Sequence, residues 1–203
     1  MEGRKNTEAD ILKAAKKIFI QHGYAGARMQ AIADEAKINK AMLHYYYRSK
    51  DALFEKIMDG AVDLMSKQLV HALSGDATVM EKMEKMVSNY TDTIIKNPYI
   101  PIFILNELAR NQMNFQNRLL HNLQQNNIFN DFLSQVISEQ QKGILQPVPV
   151  PHIMLTCMSL IVFPHIAKPV FLKIFEMSDK DYMNMMEERK AYIMDFLKKS
   201  LVL

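Results

Sequence analysis

"NKAMLHYYYRSKDALF" (residues 39–54) sets a histidine and three tyrosines, His44 to Tyr47, side by side between two short basic clusters. An α-helix turns about 100° per residue, so four adjacent rings point in four directions and a small core takes about two of them. Asn39 is a good N-cap. Leu43 and Tyr47, at i and i+4, share one face and form its apolar side. Lys40 with His44, and Ala41 with Tyr45, share another face that points outward. Tyr46 sits at the margin, one turn after Met42.

Upstream, Met29, Ile32, Ala33 and Ala36 make a short apolar face that Ile38, Leu43 and Tyr47 continue past a break. Two helices of about two turns each, separated by about three residues, have the shape of a helix-turn-helix. It lies against a first helix over about 8–22, where Thr7 with Asp10 reads as an N-cap, Ile11, Leu12, Ala15, Ile18 and Phe19 keep helical spacing, and Gly23 ends the run.

Downstream, Ser49 caps a fourth helix running to about 73, with Asp51 in its first turn. Thr78 with Glu81 forms a capping box for a fifth helix, which ends before Asn97-Pro98. A short helix over about 99–111 and a long one over about 114–142, stopped by Gly143, follow. "QPVPVP" is a stiff extended connector. A helix over about 152–175 contains Pro164 and Pro169 and is expected to kink or break there. Ser178 with Asp181 opens the last helix, about 180–200. Strand signals are almost absent, so the fold class is all-α with about nine helices. The first three form an N-terminal helix-turn-helix domain over 1–50, and the rest a larger C-terminal helical domain over 51–203.

A chain with 49% hydrophobic and 23% charged residues is a globular protein with enough apolar surface for one sizeable core or two modest ones. The single cysteine, Cys157, excludes an intrachain disulfide, reads as a small buried hydrophobe and favours a reducing, cytoplasmic setting. No secretory signal opens the sequence, and the longest apolar run, 153–163, is too short to span a bilayer. The six histidines are scattered, without metal-ligand spacing, and no phosphate-binding loop or nucleophile motif is present. No metal, cofactor or catalytic residue is therefore assigned, and no enzymatic activity is expected.

Charge is unevenly distributed. Residues 1–50 hold ten Lys/Arg against five acids, whereas the remaining 153 residues carry a net charge of −2. Only the first part is expected to meet a polyanion. An exposed helix face carrying Lys, His and Tyr suits base edges and phosphates in a DNA major groove, and it equally suits a protein partner. The sixteen methionines fill irregular space and would also suit a pocket for varied apolar ligands.

The run "IFIQHGYAGARMQAIADEAKINKAMLHYYYRSKDALF" resembles the DNA-binding domain of the tetracycline-repressor (TetR) family of transcriptional regulators. The likeness covers about residues 7–58 and is carried in order by Phe19, Gly23-Tyr24, Ile32-Ala33, Ala36, Leu43, Tyr46, the aromatic at 47, Ser49-Lys50 and Leu53. The resemblance implies a homodimer on a palindromic double-stranded operator, with one recognition helix per subunit in successive major grooves. By position it puts Lys40, Ala41, His44 and Tyr45 at bases and backbone, and Tyr46 and Lys50 at phosphate. Ala27 stands in place of a capping threonine, with Arg28 as its substitute at the phosphate. Lys37 replaces a turn glycine, and Ala41 and Met42 replace smaller or more polar residues. Met42 then offers an apolar contact to a thymine methyl.

The same resemblance implies a small-molecule effector in the C-terminal domain. Met65, Met86, Tyr90, Phe103, Glu107, Leu123, Asn127, Met158 and His165 are the pocket candidates. Met158, Ile161, Val162, Met186, Ile193, Phe196 and Leu197 are candidates for a two-fold seam, with about half of them expected to face the subunit's own core. The expected function is a ligand-responsive regulator, a repressor that a lipophilic molecule releases from DNA. The alternative is an α-helical protein-interaction module without DNA binding.

Overall fold

Helical periodicity carries through to the tertiary structure, a computed structural model that describes residues 2–109, 117, 120–122 and 127–203. Among the described residues ten helices run in order: α1 (Glu2–Gly26), α2 (Met29–Glu35), α3 (Lys40–Tyr46), α4 (Lys50–Leu73), α5 (Val79–Lys96), α6 (Tyr99–Ala109), α7 (Ile128–Gln141), α8 (Val150–Ile166), α9 (Lys168–Ile174) and α10 (Asp179–Leu201). The only β-pairing among them is an isolated antiparallel bridge between Leu145 and Val202. The protein is all-α.

Capping chemistry fixes most boundaries. Asn39 Oδ1 accepts the Met42 N–H at 2.7 Å to start α3, and Ser49 Oγ accepts the Ala52 N–H at 3.1 Å to start α4. Thr78 with Glu81 and Ser178 with Asp181 form reciprocal capping boxes on α5 and α10. Gly143 ends α7 with φ 69, a conformation glycine adopts without steric penalty.

Four expectations need correction. α1 begins at Glu2, so Thr7 lies inside the helix and not at its cap; nothing between the two positions interrupts the backbone ladder. Gly23, with φ 65 and ψ 175, breaks the regular geometry where expected, but a further turn reaches Gly26. Tyr47 lies one residue past α3 in extended conformation, since the chain must straighten before the Ser49 cap. The long helix over 114–142 is interrupted: Asn127 is left-handed with φ 51, and α7 starts only after it. The helix over 152–175, by contrast, breaks as expected, into α8 and α9, bent by 64° at Ala167. Pro169 near the start of α9 has no N–H to continue the α8 ladder.

The chain divides into two compact units, Met1–Val62 with Ile102–Phe115, and Asp63–Pro101 with Gln116–Leu203. In the first, α2 packs on α1 and α3 on α2. Ile11, Phe19, Ile32, Leu43, Leu53 and Phe54 are fully buried there. Phe19 meets Phe54 edge-on at 5.2 Å, and Phe103 closes the cluster at 5.9 Å from Phe19 and 5.2 Å from Phe54. Each such buried ring contributes about 1.5–3 kcal/mol of transfer free energy. In the second unit α5 packs against α10, α8 and α7. Its core includes Met83, Met86, Phe132, Cys157 and Tyr182. Burial pushes the Cys157 thiol up to about 12, as an inert core cysteine requires.

Candidate nucleic-acid interface

α3 is seven residues long and buries only Leu43. Lys40, Ala41, Met42, His44 and Tyr45 are exposed around it, and Tyr46 is half-buried. Tyr45 is 74% exposed, and its ring meets that of Tyr46 edge-on at 5.7 Å, so each holds the other's orientation. His44 Nδ1 lies 3.3 Å from the Arg48 carbonyl oxygen, the ring N–H donating. Tyr47 is buried and closes the domain from behind: its hydroxyl donates to Glu8 Oε1 at 2.9 Å, reaching from the end of α3 back to α1. The four rings of the opening motif thus divide between core and surface as the periodicity predicts.

The turn between α2 and α3 is tight. Lys37 has φ 57, and the N–H groups of Lys37 and Ile38 donate to the carbonyls of Asp34 and Ala33 at 3.1 and 3.0 Å. A lysine thus occupies a left-handed position that costs a residue with a Cβ roughly 1–2 kcal/mol. Behind the turn, Lys17 pairs with Glu35 at 2.7 Å and ties α1 to α2.

Arg28 is exposed at the N-cap of α2, without a capping side-chain bond. Ala27 beside it is buried. Lys50 stands differently from the exposed ammonium expected of it. Its Nζ donates to the carbonyls of Tyr24 at 2.8 Å, Ala27 at 3.1 Å and Ala25 at 3.5 Å, and lies 4.6 Å from the Tyr24 ring centroid. The last carbonyls of a helix have no onward partner and sit at the negative end of its dipole, which suits a cation.

The ligand-pocket candidates separate. Met65, Met86, Tyr90, Met158 and His165 belong to the second unit, where Tyr90 donates its hydroxyl to the Met65 carbonyl at 3.2 Å. Met65, Met86 and Tyr90 are buried, and Met158 and His165 are half-buried. Phe103 and Glu107 are buried in the first unit, Phe103 within the aromatic cluster. Asn127 is exposed at the start of α7, and Leu123 lies outside the described residues. An open cleft of about 590 Å³ in the second unit is lined by Leu73, Asp76, Lys82, Ile128, Asp131 and Gln135, none of them a candidate. Among the described residues no group of three or more His, Cys, Asp and Glu side chains is placed to hold a metal ion.

Of the seam candidates, Ile161, Met186, Ile193 and Leu197 are buried in their own subunit, Met158 and Val162 are half-buried, and Phe196 is 50% exposed. About half face inward, as expected. Sequence reasoning passed over four apolar residues left exposed on α8 and α10: Leu155, Phe163, Met183 and Tyr192, the last at 71%. The run 153–163 is apolar on all sides, so periodicity there does not show which face turns outward.

Comparison with known proteins agrees with this geometry. Residues 11–57 match the family described as "Bacterial regulatory proteins, tetR family". The probable HTH-type transcriptional regulator YttP of Bacillus subtilis is 23% identical over 93% of this chain and 92% of its own. The ketosteroid transcriptional regulator KstR2 of Mycobacterium tuberculosis superposes with a TM-score of 0.72 at 15% identity, covering 96% of this chain and 94% of that one. AibR, solved in complex with isovaleryl coenzyme A and operator DNA, gives a TM-score of 0.65 at 22% identity, over 79% and 85% of the two chains. The helix-turn-helix built by α2 and α3, its outward aromatic face and the match over 11–57 converge on one assignment: residues 11–57 form a domain of the kind found in the tetR family of bacterial regulatory proteins.

Proposed function

We propose that this protein is a ligand-responsive, DNA-binding regulator of transcription, acting as a repressor that a small lipophilic molecule releases from a palindromic operator. The observation that carries this reading is the outward face of α3, where Lys40, Ala41, Met42, His44 and Tyr45 stand exposed around the single buried Leu43. Lys40, His44 and Tyr45 offer donors to base edges and phosphates, and Met42 an apolar contact to a thymine methyl. Arg28 and Tyr46 flank that face at the phosphates. Residues 1–50 form the DNA-binding part and 51–203 the part that binds effector and partner subunit. The relatives' names and the operator complex of AibR support the same reading.

The effector site lies among the apolar helices of the second unit, near Met65, Met86, Tyr90, Met158 and His165. A ligand shifts the equilibrium between DNA-competent and released states only by its differential affinity for the two. α4 is the element through which that difference would reach the reading head, since the chain of both units runs along it. The protein acts as a homodimer through α8 and α10, with Phe196 joined by Leu155, Phe163 and Tyr192. It works in the cytoplasm and catalyses no reaction. No single described helix is long and apolar enough to cross a membrane.

The test is fluorescence anisotropy with a labelled duplex recovered from random DNA by selection on the full-length protein. Specific binding that weakens steeply with salt, in proportion to the phosphates neutralised, is expected. No recoverable duplex, or an affinity insensitive to salt, overturns the reading in favour of a protein-binding role for the α3 face.

A further inference from the structure

His44 stands exposed on α3 with one ring nitrogen already committed: Nδ1 lies 3.3 Å from the Arg48 carbonyl oxygen. A carbonyl oxygen only accepts, so the proton of that bond sits on Nδ1. The carbonyl in turn needs the ring. Arg48 falls between α3 and α4, and among the described residues no backbone N–H donates to its oxygen. In a neutral imidazole a proton on Nδ1 leaves Nε2 without one. Nε2 is then an acceptor with nothing to donate, on a side chain open to solvent. Lys40, one turn earlier on the same face, has the opposite character, an ammonium with three donors and no acceptor.

We propose that His44 selects a base whose exocyclic amine faces it in the major groove, adenine through N6 or cytosine through N4, and rejects guanine and thymine at that position. This rests on the DNA-binding reading above and names what one residue of that face reads. Adenine N6 and cytosine N4 are donors in the major groove, whereas guanine N7 and O6 and thymine O4 are acceptors. An acceptor set against acceptors forms no bond and leaves both sides desolvated, so the wrong base is penalised and not merely unrewarded. Phosphate oxygens are acceptors too, and a neutral Nε2 has no proton to give them. The tether to Arg48 makes the choice. A free imidazole is able to turn over or exchange tautomers to suit either kind of edge, and the backbone bond removes that latitude. Lys40 suits the guanine acceptors instead, so the two residues read different positions.

Full-length wild type, His44→Ala and Lys40→Ala are titrated with the selected duplex and with duplexes that each lack one amine, adenine replaced by purine or cytosine by 2-pyrimidinone. Wild type is expected to lose about tenfold in affinity at one amine in each half-site. His44→Ala is expected to bind the unmodified duplex about tenfold more weakly and to lose nothing further at that amine, while the costs at other positions persist. A merely structural role would weaken binding to every duplex alike, without such coupling. Lys40→Ala is expected to leave the His44-linked amine as costly as in wild type. The slope of log affinity against log salt is expected to be unchanged in His44→Ala, since a neutral ring neutralises no phosphate.

Equal costs at every amine in wild type and His44→Ala overturn the proposal, as does coupling of His44 to a guanine N7, shown by 7-deazaguanine. A salt slope lowered by about 0.9 in His44→Ala overturns it in favour of a charged ring on a phosphate. If wild type shows no sequence-specific, salt-dependent binding, the DNA-binding reading fails and the role of His44 fails with it, whereas specific binding without the coupling defeats only the role of His44.

Discussion

The Tyr47 hydroxyl donates to Glu8 Oε1 at 2.9 Å, which fastens the end of the candidate recognition helix to the first helix of the chain across 39 residues of sequence. Burial of the ring, and then the carboxylate beside it, hold the phenol well above its ordinary pKa, so it remains a donor throughout the physiological range. Tyr47→Phe keeps the ring and removes only this bond. A loss of about 1 kcal/mol is expected, read as a lower denaturant midpoint with unchanged slope.

Lys37, at φ 57, occupies a backbone conformation that a Cβ resists. Lys37→Gly relieves that strain, partly offset by the greater freedom of glycine in the unfolded chain. A net gain of about 0.5 kcal/mol is expected from the two opposing terms, measured by urea unfolding. A loss of stability would show that the turn is not strained.

Leu43 and Tyr45, two residues apart on α3, are expected to separate stability from recognition. Leu43 is fully buried, so Leu43→Ala should cost about 2–5 kcal/mol through the cavity it leaves. Tyr45 is exposed, so Tyr45→Ala should leave the melting temperature within the range of ordinary surface substitutions while reducing discrimination between the selected duplex and random DNA. Competition binding checks the second effect.

His165 sits where α8 gives way to α9, its Nδ1 3.3 Å from the Tyr182 hydroxyl and its Nε2 buried. Burial, with Lys168 and then Arg189 nearby, pushes the imidazole down to about 4. The unfolded chain therefore binds a proton at His165 that the folded protein refuses between about pH 4 and pH 6.5. Stability contributed by the neutral ring is complete above the upper value and declines as pH falls through the window. Allowing for solvent screening of its exposed part, the loss is on the order of 1–2 kcal/mol. His165→Gln should flatten the dependence of melting temperature on pH over that interval.

Phe163 and Phe196 are 60% and 50% exposed on α8 and α10. Replacing both by glutamate should leave the subunit folded and yield a monomer in sedimentation equilibrium, where wild type is expected as a dimer. A double variant that still sediments as a dimer would exclude this surface as the seam.

Local chemistry alone determined the all-α class, the division of His44 to Tyr47 between surface and core, the caps at Asn39, Ser49, Thr78 and Ser178, and the stop at Gly143. Each depends on residues within about one helical turn of one another, and such signals survive in sequence. The break at Asn127 carried no local signal strong enough to read. The inward or outward sense of α8 was not legible either, because a helix apolar on every side has no preferred face until its neighbours are placed. Only the tertiary structure decided that Phe103 joins Phe19 and Phe54, that Leu155 and Phe163 turn to the surface, and that the Lys50 ammonium rests on the carbonyls of residues 24, 25 and 27. These contacts join positions more than twenty residues apart or depend on which helices stack. Their energy arises from long-range packing and desolvation, which no short window of sequence contains.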